Sequence, residues 1–229
     1  MNENSFNEPV PPHFKNKDKL QLRNLVKVYD NGLKAVDNLS LSMYKDQIFA
    51  LLGPNGAGKT STISMITGLY EATNGTAEVF GINIFEEMDQ IRETLGVCPQ
   101  FNVLFDQLTP EEHFDIFCEF KGVPRNERSQ QIKSMLEDVD LDKQSTLLSK
   151  NLSGGQKRKV NVGIALLGGS KIVLLDEPSS GLDPTARRRL WDMLKRHKQD
   201  RIIILTTHFM EEADILGDRI AIMTKGKSS

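Results

Sequence analysis

The stretch Gly53-Pro54-Asn55-Gly56-Ala57-Gly58-Lys59-Thr60 decides how the rest of the chain is read. It fits the pattern G-x-x-x-x-G-K-[ST] and has the flanks that pattern needs, a strand before it and a helix after it. Gln47 to Gly53 is a short apolar run ending in glycine, the form of a buried strand. Thr60 to Leu69 reads as a helix. Glycines let the backbone curl so that successive N–H groups point inward, and the helix N-terminus adds partial positive charge. Lys59 supplies a point charge for the β- and γ-phosphates of a nucleotide, and the Thr60 hydroxyl is a ligand for Mg²⁺. Residues Gly53 to Ser61 are therefore the expected phosphate contact.

Working outward, the residues upstream of the loop suggest strands. Leu20, Leu22, Val26 and Val28 precede a turn at Asp30-Asn31-Gly32, and Val36, Leu39 and Leu41 follow it. Downstream, Thr76 to Ile84 reads as a strand pair bent at Gly81. Thr109-Pro110-Glu111-Glu112 fits a capping box with proline at the first helical position. Ile132, Met135, Leu136 and Val139 keep the spacing of an amphipathic helix, so roughly 101–168 reads as a helical insertion. The end returns to alternation: a strand at Ile172–Asp176, a helix after Pro184, a strand at Ile202–Thr207, a short helix, and a strand at Arg219–Met223. Such alternation implies an α/β fold with a mostly parallel sheet and ligands at its strand ends. Residues 1–18, polar and holding Pro9, Pro11 and Pro12, read as a disordered or linker segment before a domain at 19–229.

A second chemical feature stands at one of those strand ends. Ile172-Val173-Leu174-Leu175-Asp176-Glu177 closes an apolar strand with two acids. Asp176 suits the role of steering Mg²⁺. Glu177, by strand alternation, is expected to point differently and to address the attacking water as general base.

Composition narrows the classes. The chain has 229 residues with 29 Lys and Arg against 31 Asp and Glu, a formal charge of −2. A generic polyanion binder would show a basic excess, and nucleic acid is not an expected partner. Cys98 and Cys118 are too few for a disulfide framework and read as buried thiols. The longest apolar runs fall far short of the roughly 20 residues a membrane span needs, and Met-Asn-Glu-Asn-Ser does not open a signal peptide. The expectation is a soluble, cytosolic-type globular chain.

The segment Asn151 to Val160 holds Leu152-Ser153-Gly154-Gly155-Gln156. Ser-x-x-Gln is a capping box in its own right, and Val160, Ile164 and Leu167 continue a helix from it. A capped helix start with two glycines also suits a γ-phosphate. With this motif the chain resembles the nucleotide-binding domain of ATP-binding cassette (ABC) transporters from about Leu20 to Lys225. The resemblance implies a P-loop NTPase fold: a RecA-like, mostly parallel sheet core with an antiparallel β subdomain and an inserted α-helical subdomain. Tyr29 stands where the family stacks an aromatic on adenine. Gln100, in Val97-Cys98-Pro99-Gln100, resembles the glutamine that contacts Mg²⁺ and reports to the membrane domain. Ser179-Ser180-Gly181-Leu182-Asp183 resembles the D-loop, and His208 the switch histidine at the γ-phosphate. ATP and Mg²⁺ are the implied ligands. Two such domains meet head to tail in the family, so that Lys59 of one faces Ser153, Gly154, Gly155 and Gln156 of the other.

Stretches such as Cys98 to His113, Gly168 to Pro178 and His208 to Ile222 most resemble subfamily A, whose large eukaryotic transporters are associated with lipid movement. This implies a lipid or other hydrophobic substrate and a place at the cytoplasmic face of a membrane. Phe101–Leu108 is the expected seat for a short helix of the membrane domain. The family's domain is normally fused to membrane spans, and it continues into another strand where this chain stops at Lys225-Gly226-Lys227-Ser228-Ser229. Both departures suggest an excised domain.

Other classes fit less well. A GTPase needs an Asn-Lys-x-Asp base reader after its phosphate loop, and the sequence Asn16 to Lys19 lacks the final acid and lies before it. A chromosome-maintenance ATPase would split its halves with a coiled coil, and no sustained heptad occurs. A non-transport ABC ATPase of the translation-factor type remains the alternative. Its best feature is the basic helix Arg187–Arg201.

Overall fold

The computed structural model describes residues 18–228, so the linker expected at 1–18 falls almost wholly outside the described residues. The chain divides into two compact units, Met1–Arg92 with Thr206–Ser229, and Glu93–Leu205.

The first unit holds an antiparallel sheet in the order β2-β1-β4-β5, made of β1 (Lys19–Val28), β2 (Lys34–Tyr44), β4 (Asn74–Val79) and β5 (Ile82–Asn83). Leu20 and Leu22 of β1 lie opposite Met43 and Leu41 of β2 on one side, and opposite Val79 and Ala77 of β4 on the other. All six side chains but Leu41 are buried, which is the alternation of a sheet with one covered face. The register shifts after Leu22, where Asn24 takes a left-handed φ of 48° and donates its N–H to Ser40 Oγ at 2.9 Å.

The same unit holds β3 (Gln47–Leu52), β9 (Arg219–Thr224) and β10 (Lys227–Ser228). β3 and β9 are parallel, with Phe49 opposite Arg219 and Leu52 opposite Ile222. β3 is buried along almost its whole length, as a strand covered on both faces should be. β10 is two residues, paired antiparallel to β9 after the turn at Lys225-Gly226. Helices α1 (Lys59–Ile66), shorter than the expected Thr60–Leu69, α2 (Met88–Arg92) and α7 (Met210–Leu216) complete the unit.

The second unit pairs β6 (Leu95–Cys98) in parallel with β7 (Ile172–Asp176), and the Ile202 N–H at the start of β8 (Ile202–Thr207) donates to the Lys171 carbonyl oxygen at 2.8 Å. α3 (Pro110–Phe120), α4 (Arg125–Asp138), α5 (Gly154–Leu166) and α6 (Pro184–His197) belong to the same unit, with α5 packed on β6 and β7 and α3 packed on α4 and α5. Helix begins only at Pro110, and residues 101–109 form turns and irregular chain. At Gly163 a Cβ would lie 2.6 Å from Phe114, so glycine is what lets α5 meet α3. Strand β6 and helix α2 have no counterpart in the sequence reading. Each is short, and neither carries a sustained period.

Candidate nucleotide site

In the first unit the loop Gly53–Thr60 joins β3 to α1. The Gly53 N–H donates to the Thr207 carbonyl oxygen at 3.2 Å, which anchors the loop at the end of β8. Gly58 has φ of 101°, and a Cβ there would run into the Ala35 carbonyl oxygen. Only glycine fits. Gly58 is also the N-cap of α1 and has no side chain to accept its first N–H groups, the condition in which a helix start takes an anion. Lys59 is 6% exposed, and its Nζ donates to the Gly53 and Pro54 carbonyl oxygens at 2.7 and 3.1 Å, bracing the loop from within. Thr60 is exposed on the first turn.

Tyr29 joins this half-site. Its hydroxyl lies 3.0 Å from Ser61 Oγ, its ring meets Tyr70 edge to face at 5.8 Å, and Lys27 Nζ sits 5.3 Å over it. His208, exposed, follows Thr207 directly, with its ring 4.1 Å from that of Phe209.

The second unit brings together the acids, Gln100 and the signature. Asp176 ends β7 with 3% exposure. Glu177 is half-buried and takes φ of 50°, a left-handed conformation rare outside glycine. This corrects the expectation that strand alternation aims Glu177, because the strand has already ended and a left-handed turn sets its direction. Gln100 is exposed two residues beyond β6. Ser153 caps α5: its Oγ accepts from the Gln156 N–H at 3.2 Å, and Gln156 Oε1 accepts from the Ser153 N–H at 2.8 Å. Ser153 and Gly154 are nonetheless exposed. Gly155 is packed on the D-loop segment, where a Cβ would lie 3.2 Å from Leu182. Asp183 Oδ1 accepts from the Thr185 and Ala186 N–H groups at 2.9 and 3.0 Å to cap α6, and the Ala186 bond leads in holding its carboxyl below the ordinary value.

Cys98 and Cys118 are buried, as expected, and burial pushes the Cys98 thiol up to about 11. That thiol stays protonated at neutral pH and is no nucleophile.

Two residues escaped the sequence reading. Arg158, 2% exposed, reaches the main-chain carbonyls of Glu177 and Pro178 and that of Gln100. Its signal was available: an arginine one helical turn from Val162 and two from Ala165, on a buried phase of α5. His113 holds the segment after Gln100. With its proton on Nδ1 the ring donates to the Thr109 carbonyl oxygen at 2.8 Å and accepts from the Phe105 N–H at 2.9 Å. Phe101, Val103 and Phe105 of that segment are 77%, 69% and 63% exposed.

The family described as ABC transporter matches residues 36–180. The chain belongs to the ABC transporter family. It is 50% identical to the human phospholipid-transporting ATPase ABCA3 over 91% of this chain and 12% of that protein. It is also 50% identical to ATP-binding cassette sub-family A member 2 of Rattus norvegicus, over 89% of this chain and 8% of that one. The chain thus spans about a tenth of the length of these relatives. Among solved structures, the dimeric, post-hydrolysis ATP-binding cassette MJ0796 bound to ADP and Pi superimposes with a TM-score of 0.84 at 25% identity, over 92% of this chain and 96% of that one. The chain is an ATPase domain of subfamily A with the α/β P-loop fold. No helix among the described residues is long and apolar enough to cross a membrane.

Proposed function

We propose that the chain binds and hydrolyses MgATP as one of two nucleotide-binding domains that drive a membrane transporter of lipid or another hydrophobic substrate. In this reading Gly53–Ser61 hold the phosphates, with Lys59 as their fixed positive charge, and Tyr29 stacks on adenine. Thr60, Gln100 and Asp176 hold Mg²⁺, which neutralises phosphate charge. Hydroxyl, amide and carboxylate oxygens supplemented by phosphate are donors that suit this ion. Among the described residues no group of three or more His, Cys, Asp or Glu could hold a metal by itself. Glu177 takes a proton from the attacking water and His208 addresses the γ-phosphate.

The observation that carries the dimer is the exposed, glycine-rich start of α5. Ser153 and Gly154 face solvent at a helix N-terminus, a surface suited to the phosphates of a second copy. The dimeric cassette bound to ADP and Pi supports it. The exposed Phe101–Phe105 face, held in shape by His113, supports a seat for the membrane domain at Phe101–Leu108 on the cytoplasmic side.

The translation-factor alternative loses ground on its best feature. In the basic helix, Arg189 pairs with Asp140 at 2.7 Å, and Arg196 and His197 pair with Asp138 at 3.0 and 2.8 Å, so these groups are matched by acids of the same unit. The test of the dimer is ATP turnover per molecule as a function of concentration. It should rise from sub-micromolar to high micromolar because rate follows the dimer population. A flat profile indicates a self-sufficient monomer.

A further inference from the structure

Arg158 is unusual in what it binds. Its Nε donates to the Pro178 carbonyl oxygen at 3.1 Å, its Nη1 to those of Pro99 and Gln100 at 2.5 and 3.2 Å, and its Nη2 to those of Glu177 at 2.9 Å and Asp176. The five acceptors come from two segments far apart in sequence, one just after β6 and one at and just after the end of β7. The arginine comes from a third, only two residues beyond Gln156. A planar guanidinium with five N–H donors is the one side chain able to bridge such a set. A fully buried charge is costly unless every donor is matched. An apolar residue would fill the helix face at less cost, so the matched set itself calls for an explanation.

That explanation lies in Glu177. Arg158 holds the carbonyls of Asp176, Glu177 and Pro178 in succession, so it fixes the peptide planes on both sides of Glu177. The φ of 50° at Glu177 is a conformation that persists only where the surroundings over-determine it. We propose that Arg158 is a positioning residue for the acid pair and for Gln100: it sets the main chain from which both project, and ties it to the helix that carries Ser153–Gln156. The inference rests on the reading of Glu177 as general base. Arg158 itself addresses neither nucleotide nor water.

The experiment measures MgATP turnover, KM and calorimetric MgATP affinity for the 229-residue chain and for Arg158→Lys, Arg158→Met, Arg158→Ala and Glu177→Gln. Lysine keeps the charge but offers one nitrogen, which cannot span five carbonyls. The expected result is a fall in kcat of about 10²-fold for Arg158→Met and about tenfold for Arg158→Lys, the scale of a small misplacement of a catalytic group. Affinity and KM should change less than kcat, by no more than about tenfold, since Gly53–Ser61 supply the phosphate contacts and only the Mg²⁺-holding Gln100 and Asp176 depend on Arg158. Millimolar guanidinium should restore turnover to Arg158→Ala by about fivefold or more and do nothing for Glu177→Gln. If Arg158→Ala does not fold, Arg158→Lys decides. Full turnover in Arg158→Lys, with Glu177→Gln inactive, overturns the inference alone. Loss of kcat, affinity and melting temperature together, without guanidinium rescue, makes Arg158 a merely structural residue and also overturns it. Wild-type turnover in Glu177→Gln overturns the base reading, and the inference with it.

Discussion

The phosphate loop and the acid pair reach their shapes by opposite means. The loop is braced largely by its own residues, with one outside anchor at Thr207: Gly58 supplies the left-handed turn, and Lys59 bonds back to Gly53 and Pro54, six and five residues earlier. The acid pair is shaped from outside. Asp176 ends a plain buried strand and Glu177 follows it, and what holds the turn there is a guanidinium 18 and 19 residues away in sequence. A self-bracing loop should tolerate distant change and fail on local change. A side-chain-braced turn should do the reverse.

The largest effect expected from breaking this contrast lies at Glu177. Glutamine keeps the shape of the side chain but cannot take a proton from water, so Glu177→Gln should lower turnover about 10²- to 10⁴-fold. MgATP affinity should stay near wild type, because the loop that binds phosphate needs nothing from Glu177. The ATP-bound chain should then accumulate as a dimer, visible by size-exclusion chromatography with MgATP. A mutant that loses affinity as well as turnover would show that the two regions are not separable.

Lys59→Ala attacks the other side. It removes both the phosphate charge and the brace to Gly53 and Pro54, so MgATP affinity by calorimetry should fall about tenfold or more, as expected when a fixed charge is lost from a dry site. The melting temperature should change little relative to that loss. Unchanged affinity would end the assignment of this loop.

The same contrast explains what could be read in the amino-acid order. Gly53–Thr60 was legible because its glycines and lysine, and the strand and helix beside them, are written in one stretch, although Thr207 also anchors the loop. The strand ending at Asp176 was legible for the same reason. The direction of Glu177 was not, since period-2 alternation stops where the strand does and the φ of 50° depends on a helix elsewhere. β6 was hidden by brevity, four residues that include a glycine. That glycine is there because α5 comes so close that a Cβ would strike the Ala165 carbonyl oxygen, a contact no local pattern encodes.

The signature offers a finer test because its capping role has a twin. Thr109 with Glu112 caps α3 and Ser153 with Gln156 caps α5, each with both reciprocal hydrogen bonds. Removing either hydroxyl should cost about 1 kcal/mol of stability in chemical denaturation. If Ser153 is only a cap, Thr109→Ala and Ser153→Ala should affect turnover alike. If Ser153 also meets the partner's phosphate, Ser153→Ala alone should lose turnover, and most of all at concentrations where the dimer forms.

The smallest expected effect concerns how the second unit holds the helices around its acid pair. Asp140 Oδ2 takes Lys159 of α5 at 3.0 Å and Arg189 of α6 at 2.7 Å, while its side chain remains 49% exposed. The hydrogen bond from Lys159 leads in lowering its carboxyl below the ordinary 3.8, and Arg189 adds to it. A lowered folded pKa stabilises the protein fully above the unfolded value and loses that contribution as pH falls through the folded value. Partly exposed pairs of this kind are worth on the order of 0.5 kcal/mol. Asp140→Asn should therefore shift the urea midpoint slightly downward at pH 7. The gap to wild type should narrow as pH drops below 3.8 and close once pH has passed through the lowered folded value, where the native carboxyl is neutral as well. Turnover at pH 7 should fall modestly, since α5 carries Arg158, while MgATP affinity stays put. A gap that widened in acid would mean Asp140 is held against its charge rather than by it.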